Sequence, residues 1–140
     1  MEATKHTLPK KERLCSKTLI DHLFLDRSQK KKEWPIKVVY QVVERKNEDD
    51  AALEVLFSVS KRHFKRAVKR NLVKRQLREG FRKHRLVLDE PLAGQPKNKL
   101  LMAFIWMDAK LHTTEEVGEA MAKLMDVVAR SLTNDLSKEA

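Results

Sequence analysis

The stretch Leu53–Arg85, LEVLFSVSKRHFKRAVKRNLVKRQLREGFRKHR, decides how this chain folds and what it meets. Its first part alternates, with Leu53, Val55, Phe57 and Val59 set against Glu54, Leu56 and Ser58, the period of a strand. From about Phe64 the period becomes helical and runs to about Arg85, across Gly80. On that helix Ala67, Val73, Leu77 and Phe81 share one side and form the expected core face, with Arg70 and Lys74 intruding on it. Asn71, Arg75, Arg78 and Arg82, at spacings of 4, 3 and 4, form a second stripe. Lys65, Lys69 and Lys83 lie further round.

The charge is concentrated here. Residues Lys61–Arg85 hold 12 Lys or Arg and one acid, Glu79, a net +11. The whole chain of 140 residues is +10, so the other 115 residues carry −1. A solvated helix face normally mixes signs at i,i+4 for mutual support. Like charges crowded on one element cost stability unless a polyanion neutralises them, so nucleic acid or an anionic membrane surface is implied. Guanidinium groups bind phosphate oxygens through paired hydrogen bonds and stack on unpaired bases. Asn71 can both donate and accept, so it suits a ribose hydroxyl or base edge, or equally a local hydrogen bond or cap.

Outward from this segment the elements are shorter. Ser16 reads as the N-cap of a first helix carrying Leu19, Ile20, Leu23 and Phe24. Arg27–Glu33 reads as a polar basic loop, and Ile36–Val43 as a strand with Ile36, Val38, Tyr40 and Val42 on one face. A turn at Lys46–Asp50 predicts that this strand and Leu53–Val59 form a hairpin. After the basic helix, Leu88–Lys99 reads as a loop with Pro91, Gly94 and Pro96. Leu100–Trp106 is apolar on both faces and reads as a central strand. Thr113-Thr114-Glu115-Glu116 is a capping-box signature for a last helix, whose buried stripe is Val117, Met121, Leu124, Val128 and Leu132. The expectation is a single α+β domain, a mixed α/β sandwich with its core at about 8–132 and loose ends at 1–7 and 133–140.

Other chemistries find little support. The longest apolar run, Leu100–Met107, is far shorter than the roughly 20 residues of a spanning helix. No apolar segment follows the basic N-terminus, and the single cysteine, Cys15, permits no internal disulfide, so the cytoplasm is expected. The pairs Asp49-Asp50 and Asp89-Glu90 read as turn and solubility residues. His6, His22, His63, His84 and His112 show no ligand spacing, so no protein-bound metal or autonomous active site is expected. A strand precedes the basic helix, where a DNA-reading helix would follow a helix and tight turn, so DNA is not the expected partner.

Phe57-Ser58-Val59-Ser60-Lys61-Arg62, then Ala67-Val68-Lys69-Arg70-Asn71-Leu72-Val73-Lys74-Arg75, then Arg78-Glu79, resembles the signature of the bacterial ribonuclease P protein family. The resemblance covers roughly residues 8–132. It implies a fold like ribosomal protein S5 domain 2, with a left-handed βαβ crossover. It implies partners, the catalytic RNA and precursor tRNA, with Mg²⁺ held mainly by the RNA subunit and substrate, and the free protein a monomer. It assigns RNA binding to Lys61, Arg62, Arg70, Asn71, Lys74, Arg75 and Arg78, to which the charge of the helix adds Lys65, Lys69 and Arg82. It further implies a cleft for the single-stranded 5′ leader between the first helix and the sheet, at Ile20, Phe24, Val38, Tyr40 and Ser58. By residue type alone Phe24 and Tyr40 read as core aromatics. Leu72 stands where the family often has Arg, Leu56 where it often has Gly, and Ile20 where it is often aromatic. A structural rRNA-binding protein or ribosome assembly factor would explain the charge equally well.

Overall fold

A computed structural model describes residues 12–14, 17–24, 28–45, 51–94 and 97–139. The element order is α1 (Lys17–Leu23), β1 (Gln29–Glu33), β2 (Ile36–Glu44), β3 (Leu53–Ser58), α2 (Ala67–His84), α3 (Leu86–Ala93), β4 (Asn98–Trp106) and α4 (Thr114–Glu139). Cys15, Ser16 and the 46–50 turn lie outside the described residues.

The strands form one mixed sheet in the order β1-β2-β4-β3. β4 is buried along most of its length, as its two apolar faces require, and it occupies the middle. It pairs antiparallel with β2 and parallel with β3. The expected β2–β3 hairpin is therefore absent, because β4 takes the place between them. The parallel β3–β4 pair is joined by a crossover carrying α2 and α3.

Both sheet faces are covered. One meets α2, α3 and α4 around Ile36, Val38, Tyr40, Leu53, Val55, Leu100, Met102, Phe104 and Trp106. The other meets α1 around Leu14, Leu23, Val39, Leu101 and Ala103. Burial of this apolar surface supplies the main driving force for the fold. On this second face the buried Lys99 ammonium donates to the Glu54 carboxylate. The N-terminal segment lies against the outer edge of β3, where Leu14 N donates to Val55 O at 3.0 Å. It is tied to the end of α2 by a two-pronged pair, Arg85 Nη1 and Nη2 to Glu12 Oε1 and Oε2 at 2.7 and 2.8 Å.

Three elements differ from expectation. Gln29–Glu33, read as loop, is an edge strand; its lysines hide the strand signal and also guard the edge from further pairing. Part of the expected Leu88–Lys99 loop belongs to a helix, Leu86–Ala93, despite Pro91, and Leu88 is fully buried in the main core. α4 continues to Glu139, past the expected end at 132. Its start is as read. Thr113 Oγ1 accepts from Glu116 N at 3.1 Å while Thr113 N donates to Glu116 Oε1 at 3.0 Å.

Candidate nucleic-acid interface

α2 starts three residues later than expected from Phe64, which is buried in the approach loop. Its buried side is Val73, Gln76, Leu77, Gly80 and Phe81. Ala67 is exposed in the first turn, and its place on the core face passes to Gln76 and Gly80. Gln76 Nε2 donates to His112 O and Thr114 Oγ1, both at 3.2 Å, fastening α2 to the start of α4. Gly80 lets the helices meet closely: a Cβ there would lie 2.8 Å from Met121 Cγ.

With that side fixed, the opposite side presents the cations. Lys61, Arg62, Lys65, Arg66, Lys69, Asn71 and Arg75 are exposed, while Lys74, Arg78 and Arg82 are half-buried. Among the described residues only Arg75 and Arg85 of the twelve cations in Lys61–Arg85 have a carboxylate in ion-pair reach. The Arg75 Nε–Glu79 Oε1 distance is 3.6 Å with the Arg75 side chain 73% exposed, so that pair is a weak one. Among the described residues the crowding read from sequence is thus left largely uncompensated by acids.

Arg70 has a different task. Its Nη1 donates to Phe64 O and Lys65 O, both at 2.8 Å, and braces the loop that enters α2. Ser60 Oγ accepts from Arg62 N at 3.0 Å in the same loop. α2 has no acidic residue in its first turn and no side-chain cap at Arg66. Its free N–H groups and dipole therefore add to the positive field. A surface cavity of about 460 Å³ opens there, lined by His63, Lys65, Arg66, Lys69 and Lys110 among others. Arg66 and Lys110 were not singled out from sequence; Lys110 reaches this surface only through the fold.

The five residues of the expected cleft do not line one surface. Ile20 packs on the α1-side face, and Ser58 pairs in register with Ile105 of that face. Phe24, 48% exposed, follows directly on α1. Val38 and Tyr40 are at most 1% exposed and belong to the opposite face, where α4 packs on β2. Tyr40 Oη donates to Gln29 Oε1 at 3.0 Å. The reason is strand parity: Val39, between them, meets α1, so Val38 and Tyr40 turn away.

The described residues bring together no group of three His, Cys, Asp or Glu fit to hold a metal. None of their helices is long and apolar enough to cross a membrane. Fold and site together define an α+β protein with one helix and its approach loop turned into a cationic surface for a polyanion.

Comparison with known proteins narrows that class. The family profile described as Ribonuclease P matches residues 8–127. The chain is 33% identical over 106 residues to the Ribonuclease P protein component of Porphyromonas gingivalis (strain ATCC 33277), covering 75% of this chain and 74% of that one. The fold resembles the RNase P protein of Staphylococcus aureus, with a TM-score of 0.62 and 19% identity over 84% of this chain and 94% of that one. It also resembles the RNase P protein from Thermotoga maritima, with a TM-score of 0.62 and 17% identity over 82% and 96%. The chain belongs to the ribonuclease P protein family.

Proposed function

We propose that this chain is the protein subunit of a ribonuclease P holoenzyme that matures the 5′ end of transfer RNA. α2 and its approach loop bind the catalytic RNA through Lys61, Arg62, Lys65, Lys69, Asn71, Lys74, Arg75, Arg78 and Arg82, with Arg66 added. The observation that carries this reading is the row of cations on α2, of which only Arg75 has a carboxylate in reach among the described residues, in a chain of this family. Arg70 serves chiefly to hold the loop in place, and Leu72, 43% exposed, offers no phosphate contact where a guanidinium would. The protein's contribution is electrostatic and positional: it lowers phosphate repulsion where two RNAs meet. Phosphodiester hydrolysis and the Mg²⁺ it needs are assigned to the RNA subunit, as the resemblance to this family implies.

The leader of the precursor is assigned to the α1-side face, at Ile20, Phe24 and Ser58. Lys61 and Arg62 follow this end of β3 in the chain. An exposed aromatic ring suits stacking by an unpaired strand, and cations suit its phosphates. Val38 and Tyr40 leave the set and act in the core.

Reconstitution tests the reading. Added to a bacterial ribonuclease P RNA at low Mg²⁺, the protein should stimulate cleavage of precursor tRNA. No stimulation would favour a ribosomal RNA-binding role, and cleavage by the protein alone would overturn the assignment of chemistry to RNA.

A further inference from the structure

The α1-side face of the sheet continues past α1 onto the β1–β2 hairpin. Register pairs Lys32 with Lys37, Lys37 with Ile105, and Ile105 with Ser58, so one row crosses all four strands. At strand spacings of about 4.8 Å the row spans roughly 14 Å. The neighbouring row begins with Lys30 opposite Val39. Lys30, Lys32 and Lys37 therefore share the face that holds Ser58.

Three observations set this patch apart from ordinary surface. Lys32 and Lys37 stand directly opposite each other, an arrangement of like charges that costs stability. None of the three lysines has an ion-pair partner among the described residues, and Glu33 lies on the other face by alternation. Edge protection accounts for lysines on β1, but Lys37 is on β2, which is paired on both sides. Beside them, Trp34 at the hairpin turn is 59% exposed, whereas Trp106 is 1% exposed. The turn is anchored, since Met107 N donates to Pro35 O at 2.8 Å.

We propose that Trp34, Lys30, Lys32 and Lys37 form a docking surface for unpaired RNA, which carries the leader onward from the α1-side face. The surface rests on the leader assignment above and extends it. An aromatic ring for stacking beside lysines for phosphates is the equipment of single-strand binding, and it is tolerant of sequence. Shape-read double-stranded RNA has no use for an exposed ring.

The test uses the full chain assembled with catalytic RNA and precursor tRNAs of increasing leader length. Tryptophan fluorescence with acrylamide reports Trp34, and W34F isolates the buried Trp106 background. Long leaders should shield Trp34 from acrylamide, and short ones should not. Trp34→Ala should weaken long-leader binding by about fivefold or more while sparing short leaders. Lys32→Gln and Lys37→Gln should each reduce the same long-leader gain. Leader-dependent affinity with Trp34 equally quenchable throughout would overturn this surface alone. Shielding by catalytic RNA before substrate is added would assign the hairpin to that RNA and overturn the leader route. If leader length has no effect on wild-type affinity, the leader assignment falls and this proposal with it.

Discussion

Gly80→Ala probes whether α2 is held where the interface requires. A new Cβ would stand 2.8 Å from Met121 Cγ and 3.0 Å from Met121 Cβ. Carbon pairs prefer about 3.5–4.0 Å, so roughly half an ångström or more must open between the helices. The Met121 side chain can rotate its Cγ aside, but its Cβ moves only with the backbone of α4, and Met121 is fully buried. Overpacking of this kind costs about 1–3 kcal/mol. Replacing a helical Gly by Ala returns about 1 kcal/mol of propensity. The net expectation is a loss of about 1 kcal/mol, or a fall in Tm of roughly 3–5 °C for a chain of this size. Thermal and urea unfolding followed by circular dichroism measure it. A Gly80→Ala/Met121→Ala double variant should be less destabilised than the two singles summed, by at least about 0.5 kcal/mol. A rise in Tm on Gly80→Ala, as for a glycine on an open helix, would refute the close approach and the placement of the cationic side that depends on it.

Two further perturbations follow from the same structure. Lys99→Met should destabilise the protein by about 3–5 kcal/mol in urea unfolding, because it leaves the Glu54 carboxylate buried without its partner. At the start of α4, the hydrogen bond from His112 holds the Asp108 carboxyl below the usual range, and the Thr113 backbone N–H does the same for Glu116. A depressed carboxyl stabilises the fold above its unfolded pKa and loses that contribution as pH falls through the folded value. Tm should therefore decline on acidification below about pH 4, and less steeply in an Asp108→Asn/Glu116→Gln variant.

Much of the architecture was legible from local pattern. The apolar run Leu100–Trp106 announced a central strand, Thr113 and Glu116 a capped helix, and the Val73-Leu77-Phe81 spacing the inner side of α2. What failed was non-local. β2 and β3 read as a hairpin because the turn between them is short, yet β4, some 40 residues on in the chain, separates them. β1 was hidden by its lysines, and α3 by Pro91. The leader cleft shows the deeper limit. Alternation correctly placed Val38 and Tyr40 on one face, but β2 has apolar residues on both faces, Val39 and Val43 included. Which face α1 covers is decided by packing in three dimensions, and no period in the sequence carries it. For the cationic helix the sequence sufficed in outline, because charge crowding is a local property. The inward use of Arg70 and the arrival of Lys110 at the α2 start needed the fold.

The salt dependence of catalytic-RNA binding tests the central claim most directly. With about six phosphates neutralised, log affinity should fall against log salt with a slope of roughly −4 to −5. Arg75→Ala should weaken binding by about 1–2 kcal/mol and lower the slope by about one. A flat salt response, or an Arg75→Ala variant that keeps both affinity and slope, would contradict the account.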